Sequence, residues 1–579
     1  MAPVPGLLYV TMQPHGDLPA EEFHDWYNNE HGPTRLRLPF VTNGFRYRAT
    51  DLGDAGAGSK DMPEWMAAYD ITDNNELNSD AYLRLRGPPV KSERETNVMK
   101  RIDVDRKCFD VVYEQARDGY QNLEDAYAED ADRGVLVAVS VRCKPGHGIK
   151  ELVKFYEEEH VPMLSKVPGY RRSRCFKTSQ IVKALSAKDQ AEQADPEFLS
   201  LHEYDTQNGV GTSPEYKAAS STPRLHKLMD EAVSAFKRRT YAQTYTFGPA
   251  PRFLHTKLQP FTSPDGATKT LPVNGPSPSA IESFVTTPDG VDLPYRLEGS
   301  SSPHAPLLVL INSVLVDWHI WDAFLTSLTG YPAFANYRIL RYHARGRSSK
   351  TIGTQPITLD LLAADVIALL DALRVPRAAA VIGVSLGGAT ALNVALKHPD
   401  RVTRFVACDT NAAAPAGNAK AWGERIAVAE AESATAALYG KDIDTVASGD
   451  ELVVGTRLAE LTVKRWFAGT SWDGGDTERR CREVQVAVER NSLAGFRAVV
   501  QALFKYDLWD EMKSANAQGT FLAGKEDGKV PVGMRGMAEG YAGGKGTFFE
   551  IEDAGHLPMV EKPDDVAGIV ARELGWVSK

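Results

Sequence analysis

Cysteine is scarce in this 579-residue sequence: Cys108, Cys143, Cys175, Cys408 and Cys481 are odd in number, scattered, and include no Cys-x-x-Cys pair. That pattern argues against a disulfide framework or a zinc-ligand cluster and reads as reduced, buried thiols. Long apolar runs are missing too, since none approaches the ~18 residues that span a bilayer. The start, Met1-Ala2-Pro3-Val4-Pro5-Gly6, has no basic segment followed by an apolar core. We therefore expect a cytoplasmic protein with no membrane partner. Positive charge is in deficit, 66 Lys and Arg against 76 Asp and Glu for a net charge of −10, so no nucleic-acid partner is expected. What is present is ordinary for a globular protein, 43% hydrophobic and 25% charged residues. The length exceeds what one core fills and suggests three or four domains at roughly 100–200 residues each.

Seven prolines (Pro249, Pro251, Pro260, Pro264, Pro272, Pro276, Pro278) crowd the stretch between Gly248 and Ser279. Proline at that density favours an extended spacer, which places a linker over residues 248–280. Upstream the chain is duplicated. Phe23, Trp26, Tyr27, Glu30, His31 and Pro33 recur as Leu152, Phe155, Tyr156, Glu159, His160 and Pro162, all displaced by 129 residues. The apolar members form one stripe on a helix, and Glu-His-x-Pro is expected to end it, because proline biases the preceding residue away from helix. Strands before and after give a β-α-β-β-α-β unit twice, over residues 1–125 and 126–247. Each unit buries one sheet face on its helices, so the two sheets are expected to pack together and close a small barrel.

This half resembles the EthD-like family of the dimeric α/β-barrel superfamily, through Trp26-Tyr27-Asn28-Asn29-Glu30-His31-Gly32-Pro33 and Phe155-Tyr156-Glu157-Glu158-Glu159-His160-Val161-Pro162. The resemblance implies a tandem ferredoxin-like fold whose fused repeats supply internally the pair that relatives form from two chains. Oligomeric state is left open. His31 and His160 are the candidate acid-base groups, since an imidazole titrates near neutrality and each is two residues from a proline and next to a glutamate. The alternative is that both only cap a helix or pack.

Downstream, residues 281–579 alternate apolar strands with helical patterns, as a parallel α/β sheet does. The decisive segment runs Ala378 to Gly388: an apolar strand, then Gly383-Val384-Ser385-Leu386-Gly387, then a small-residue helix. Glycines two residues either side of a serine on a strained strand-to-helix turn remove collisions with neighbouring backbone. The Leu386 N–H then opens the helix, where it can donate to a developing oxyanion. A serine hydroxyl needs a base and an orienting acid. His556, in Asp553-Ala554-Gly555-His556, follows a strand near the C-terminus, and Asp527 closes Gly524-Lys525-Glu526-Asp527 after another. Glu526 and Asp409 are rival acids, and Asp553 is too near His556 in sequence to be preferred.

This half resembles the α/β-hydrolase superfamily, and within it the 3-oxoadipate enol-lactonase branch. The likeness is carried by Asn312-Ser313-Val314-Leu315-Val316-Asp317-Trp318, Ala421-Trp422-Gly423-Glu424-Arg425, Arg465-Trp466-Phe467, and Gly495-Phe496-Arg497. It implies Val314 as the second oxyanion donor, a cap over about 411–505, and a pocket drawn from Trp318, Trp422, Arg425 and Trp466. The turn His343-Ala344-Arg345-Gly346-Arg347-Ser348 is shorter than the family's by about two residues. The expectation is an ester or lactone hydrolase acting through an acyl-enzyme, with a small-molecule substrate and no metal or cofactor. Carbon-carbon bond hydrolysis uses the same residues. Two further readings stand beside it: a bifunctional enzyme whose barrel decarboxylates or cyclises an aromatic or polyketide intermediate, and an assembly or ligand-sensing protein with a non-catalytic barrel.

Overall fold

The computed structural model describes residues 2–53, 56–123, 125, 134–183, 187–255, 257–272, 279–439 and 449–577. The chain divides into two compact units, residues 1–251 with 261–266, and residues 252–260 with 267–579.

The first unit is a closed eight-stranded barrel. Its strands are β1 (Gly6–Pro14), β2 (Phe45–Ala49), β3 (Trp65–Ile71), β4 (Ile102–Ala116), β5 (Val135–Cys143), β6 (Tyr170–Thr178), β7 (Glu197–Tyr204) and β8 (Val233–Thr246). Around the barrel they run β4-β1-β3-β2-β8-β5-β7-β6, so the second four repeat the order of the first with an offset of four. Leu7, Phe45, Met66, Phe109, Leu136, Leu201 and Tyr241 fill the interior, and the residues of opposite parity on β5 and β7, such as Val139 and Phe198, pack under Phe155, Tyr156 and Val161.

The conserved-spacing proline does not end either helix. Tyr27–His31 and Tyr156–His160 are single π-turns, and helix resumes over Gly32–Leu36 and Val161–Leu164. In each case the N–H before the proline reaches back five residues, Gly32 to the Tyr27 carbonyl and Val161 to the Tyr156 carbonyl. The widened turn absorbs the hydrogen bond that Pro33 and Pro162 cannot make, so the helix bulges where a break was expected.

The proline-rich stretch contains the short strands β9 (Phe261–Thr262) and β10 (Lys269–Leu271) and the buried side chains of Leu254 and Leu258. β10 pairs antiparallel with β11 (Ala280–Thr286). Pro276 and Pro278 lie outside the described residues, as do residues 126–133 and 440–448.

The second unit is built on a sheet that adds β12 (Asp292–Gly299), β13 (Leu307–Ile311), β14 (Arg338–Tyr342), β15 (Ala380–Val384), β16 (Arg404–Cys408), β17 (Gln518–Gly524) and β18 (Thr547–Ile551), in the order β18-β17-β16-β15-β13-β14-β12-β11-β10. β11 and β12 form the expected antiparallel hairpin, and β14, β13, β15, β16, β17 and β18 are parallel neighbours. Strands buried on both faces explain the continuous apolar runs, every residue of β13 and β15 being buried. Helices over 418–432, 456–466, 475–489 and 493–499 fall between β16 and β17. Among the described residues no helix is long and apolar enough to cross a membrane.

Candidate active site

Parallel strands deliver their C-terminal ends to one edge of a sheet, where loops from adjacent strands meet. Register sets Val384 beside Cys408 and Cys408 beside Leu522, with Gly524 beside Ile551. Ser385 therefore follows β15, Asp409 follows β16, Asp527 lies three residues past β17, and His556 five past β18. All four arrive at the same edge.

Ser385 holds φ 57° and ψ −119°. A non-glycine residue with positive φ costs ~1–3 kcal/mol and persists only where its surroundings impose it. Here the Ser385 N–H donates to the Cys408 carbonyl at 2.9 Å, and the Ala389 N–H to the Ser385 carbonyl at 3.0 Å. A Cβ on Gly383 would lie 2.0 Å from the Gly387 carbonyl oxygen, and one on Gly387 would lie 2.4 Å from that of Ile311. The helix Leu386–Lys397 is thus pressed onto the sheet edge, which leaves Ser385 half-buried at the turn. Leu386 opens this helix, so its N–H has no partner within it.

Val314 is buried in the loop after β13, and the next residue, Leu315, has φ 70°. Arg347 fixes that loop. Its guanidinium donates to the Leu315 carbonyl at 3.2 Å and pairs with Asp317 at 3.2 Å. The shortened turn therefore serves as a brace. Arg345 in the same turn is fully buried between Asp289 and Asp365 at 2.6 and 2.7 Å.

His556 Nδ1 lies 2.7 Å from Asp527 Oδ2, with both side chains largely buried. The ring's loop is anchored from the backbone, the His556 N–H donating to the Trp466 carbonyl at 2.6 Å. Glu561 holds the same loop. Its carboxylate accepts from the Gly555 N–H at 2.7 Å, the Ala468 N–H at 2.8 Å and the Ser471 hydroxyl at 2.6 Å. Neither Glu561 nor Arg347 was singled out by sequence reasoning, because a lone charge near a motif carries no local signal of what it will bind.

The rival acids take other places. Glu526 and Asp553 are exposed, and Asp553 pairs with Lys562 at 3.7 Å. Asp409 is fully buried, and its Oδ1 accepts from the Gly524 N–H at 2.9 Å. Burial, reinforced by the nearby Asp527 charge, pushes its carboxyl well above the usual range. Asp409, Asp527 and His556 bring donor atoms within 4.8 Å of one another, the one such cluster among the described residues. The set is occupied internally, two members bonding each other and the third bonding Gly524.

The expected pocket residues separate into three places. The Trp466 ring centre is 5.6 Å from that of His556. Trp422 packs edge-on to Phe496 and lies under the Arg425 guanidinium at 4.3 Å. Trp318 is buried and stacks on His343 at 3.9 Å. Arg465, beside Trp466 in sequence, feels the charges of Arg425 and Asp527. Burial first, then Arg425, lowers its guanidinium to about 10. Among the described residues neither Arg425 nor Arg465 forms an ion pair. A cavity of about 730 Å³ lined by Ile320, Arg480, Val484 and Val560 touches neither Ser385 nor His556.

A model described as the alpha/beta hydrolase family matches residues 308–569. The C-terminal half of the chain has the α/β-hydrolase fold. The hydrolase half is 23% identical over 278 residues to 3-oxoadipate enol-lactonase 2 of Acinetobacter baylyi, a match covering 48% of this chain and 91% of that protein. A solved hydrolase from Pseudomonas aeruginosa is 29% identical, with a TM-score of 0.42, covering 51% of this chain and 98% of its own. The enol-lactonase from Burkholderia xenovorans is 24% identical, also at 0.42, covering 50% and 99%.

Outside the hydrolase half, the two barrel histidines are held among aromatic rings. His31 lies between Trp26 and Tyr27, with Nδ1 3.1 Å from Glu95. His160 lies against Phe155, Tyr156 and His202. Burial lowers each to about 4, with Arg35 adding to the effect at His31. Both rings are therefore neutral at physiological pH.

Proposed function

We propose that the hydrolase half cleaves a small anionic ester or (enol-)lactone through an acyl-enzyme on Ser385. The observation that carries this reading is the 2.7 Å contact between His556 and Asp527, on the sheet edge that also presents the strained Ser385. With Nδ1 engaged by Asp527, Nε2 is the ring atom left to take the Ser385 proton. The serine oxygen attacks the carbonyl, and the Leu386 and Val314 amides receive the oxyanion. His556 then returns the proton to the leaving alkoxide, and water activated by the same ring cleaves the acyl-enzyme. Asp527 keeps the ring in its tautomer and offsets its transient charge.

Lactone or ester chemistry draws on the similarity to the enol-lactonases. An anionic substrate is favoured by Arg425 and Arg465, two cap guanidiniums that form no ion pair among the described residues, of which Arg465 feels the charge of Asp527. For the barrel, the repeated strand order and the two matching π-turns support an EthD-like tandem of ferredoxin-like repeats forming an internal pseudo-dimer. The neutral, ring-packed state of His31 and His160 favours a packing role over decarboxylation or cyclisation.

A fluorophosphonate probe should label the full-length protein once, on the peptide containing Ser385, and Ser385→Ala should lose both labelling and esterase activity. Label on another residue, or full activity in Ser385→Ala, overturns the proposal.

A further inference from the structure

The inside of the barrel changes character along its axis. Side chains alternate across a strand, so the inward series on β4 runs Phe109, Lys107, Asp105, and on β8 Tyr241, Arg239, Lys237. The register brings these levels together. Tyr9 is opposite Lys107, Ala138 is opposite Arg239, and Ser140 is opposite both Lys237 and Leu199. Neighbouring strands thus pass from apolar to polar at one height. A one-residue slip would turn every one of these groups outward, so the arrangement is fixed by the same register that fills the core.

The two ends of the barrel differ. At one, Arg172 and Arg174 meet Glu203 at 2.8 and 3.3 Å, and Arg174 meets Asp70 at 2.6 Å, two cations against two carboxylates. At the other, a cavity of about 70 Å³ is lined by Tyr9, Ser140, Lys237, Arg239 and Tyr241, and by Lys107 with the two carboxylates it pairs with, Asp105 and Glu197. That volume exceeds the ~10–15 Å³ needed for one water. Arg239 is only 4% exposed. It spends Nε and Nη2 on Asp51 and the Pro63 carbonyl, and its Nη1 is buried without a hydrogen-bond partner among the described residues. The Tyr241 hydroxyl is buried beside that of Tyr9, with which it interacts, and makes no further hydrogen bond among the described residues. Lys237, at the exposed rim, donates to the Asp61 carbonyl and makes no ion pair among the described residues. Burial and the neighbouring Arg239 and Lys107 charges lower its ammonium, against the opposing pull of Asp105 and Asp61. Buried donors left unpaired are costly and rare. Here the unpaired Arg239 Nη1 and the Tyr241 hydroxyl belong to the wall of one void.

We propose that this end of the barrel is a binding site for a small oxyanion, a carboxylate or a phosphate, received by Arg239 Nη1, the Tyr241 hydroxyl and the Lys237 ammonium. The site belongs to the barrel alone and does not depend on the hydrolase chemistry. Its apolar floor, Leu199 and Ala138, suits a short carboxylate with its hydrocarbon end inward. An inorganic phosphate would use the same donors without that floor.

The test is calorimetric titration of the full-length protein with sodium acetate, sodium propionate and sodium phosphate, against sodium chloride at matched ionic strength. Tyr241→Phe removes one hydroxyl and keeps the ring, and Lys237→Gln changes only the exposed rim. Each is expected to weaken binding by about tenfold, as for a hydrogen bond to a charged group. Propionate binding tighter than phosphate identifies a carboxylate site, and the reverse identifies a phosphate site. Absence of binding above the chloride control overturns the proposal. So do identical isotherms for the wild type and Lys237→Gln, which decides the matter even where Tyr241→Phe does not fold.

Discussion

The imidazole of His556 and the carboxylate of Asp527 meet at 2.7 Å although they sit on loops from different strands, and each loop is held by backbone bonds that leave the contact little freedom. The Asp527 N–H donates to the Gly524 carbonyl at 3.1 Å and that of Glu526 to the Ala554 carbonyl at 2.8 Å, tying one loop to the other. Asp527→Asn should preserve this geometry while presenting an amide donor to Nδ1, which selects the wrong tautomer. The expected loss in kcat is about 10⁴-fold, measured with an aryl ester. A loss below tenfold would mean that another carboxylate orients the ring.

Asp409 gives a prediction of opposite sign for stability. Burial and then the Asp527 charge raise its carboxyl well above the usual range. A carboxyl whose pKa is raised on folding contributes stability below its unfolded value of about 3.9 and loses it as pH climbs through the folded value. Asparagine keeps the acceptor for the Gly524 N–H and has nothing to ionise. Asp409→Asn should therefore melt above the wild type at alkaline pH and near it at pH 4. The expected gain is on the order of 1 kcal/mol, about 2–4 °C. An equal difference at both pH values would show that Asp409 does not titrate.

Much of this architecture is legible in the residues because it depends on local rules. The elbow glycines and the apolar strands both report short-range geometry. The duplicated helix motif does the same for the repeats, and its spacing was readable while its consequence was not. Proline was expected to stop the helix at Glu-His-x-Pro, but a π-turn accommodates it, a solution that only packing against the sheet selects. The roles of Glu561 and Arg347 were illegible for a different reason. Each acts on backbone groups far away in sequence, Glu561 on Ala468 and Arg347 on Leu315, and nothing in the local string marks such partners.

Arg425 and Arg465 separate substrate charge from chemistry. Arg465→Ala should leave kcat on a neutral aryl ester within about twofold and raise KM for an ester carrying a carboxylate by about tenfold. A contact to a charged group is typically worth ~1.5–3 kcal/mol. Arg425→Ala should act in the same direction and also perturb Trp422, which lies beneath it. If both variants alter neutral and anionic substrates equally, the cap arginines serve packing alone.

The second repeat should make the barrel sensitive to acid. His160 and His202 are lowered to about 4 and about 3, chiefly by burial, and His160 further depresses His202. For a histidine whose folded pKa lies below its unfolded 6.5, the unfolded chain binds more protons in the interval between them, so stability falls as pH drops from about 6.5 to the folded value. At 1.36 kcal/mol per pKa unit, His160 alone accounts for at most about 3 kcal/mol of that loss. His160→Phe keeps a ring stacked on Phe155, which lies at 5.3 Å, and has no proton to gain. Thermal melts of the full-length protein at pH 7, 6, 5 and 4 should show the wild-type barrel transition falling faster than that of His160→Phe. The two curves should converge toward the acid end even if the variant starts lower. Parallel curves would mean that His160 titrates normally in the folded barrel, contrary to its ring-packed placement.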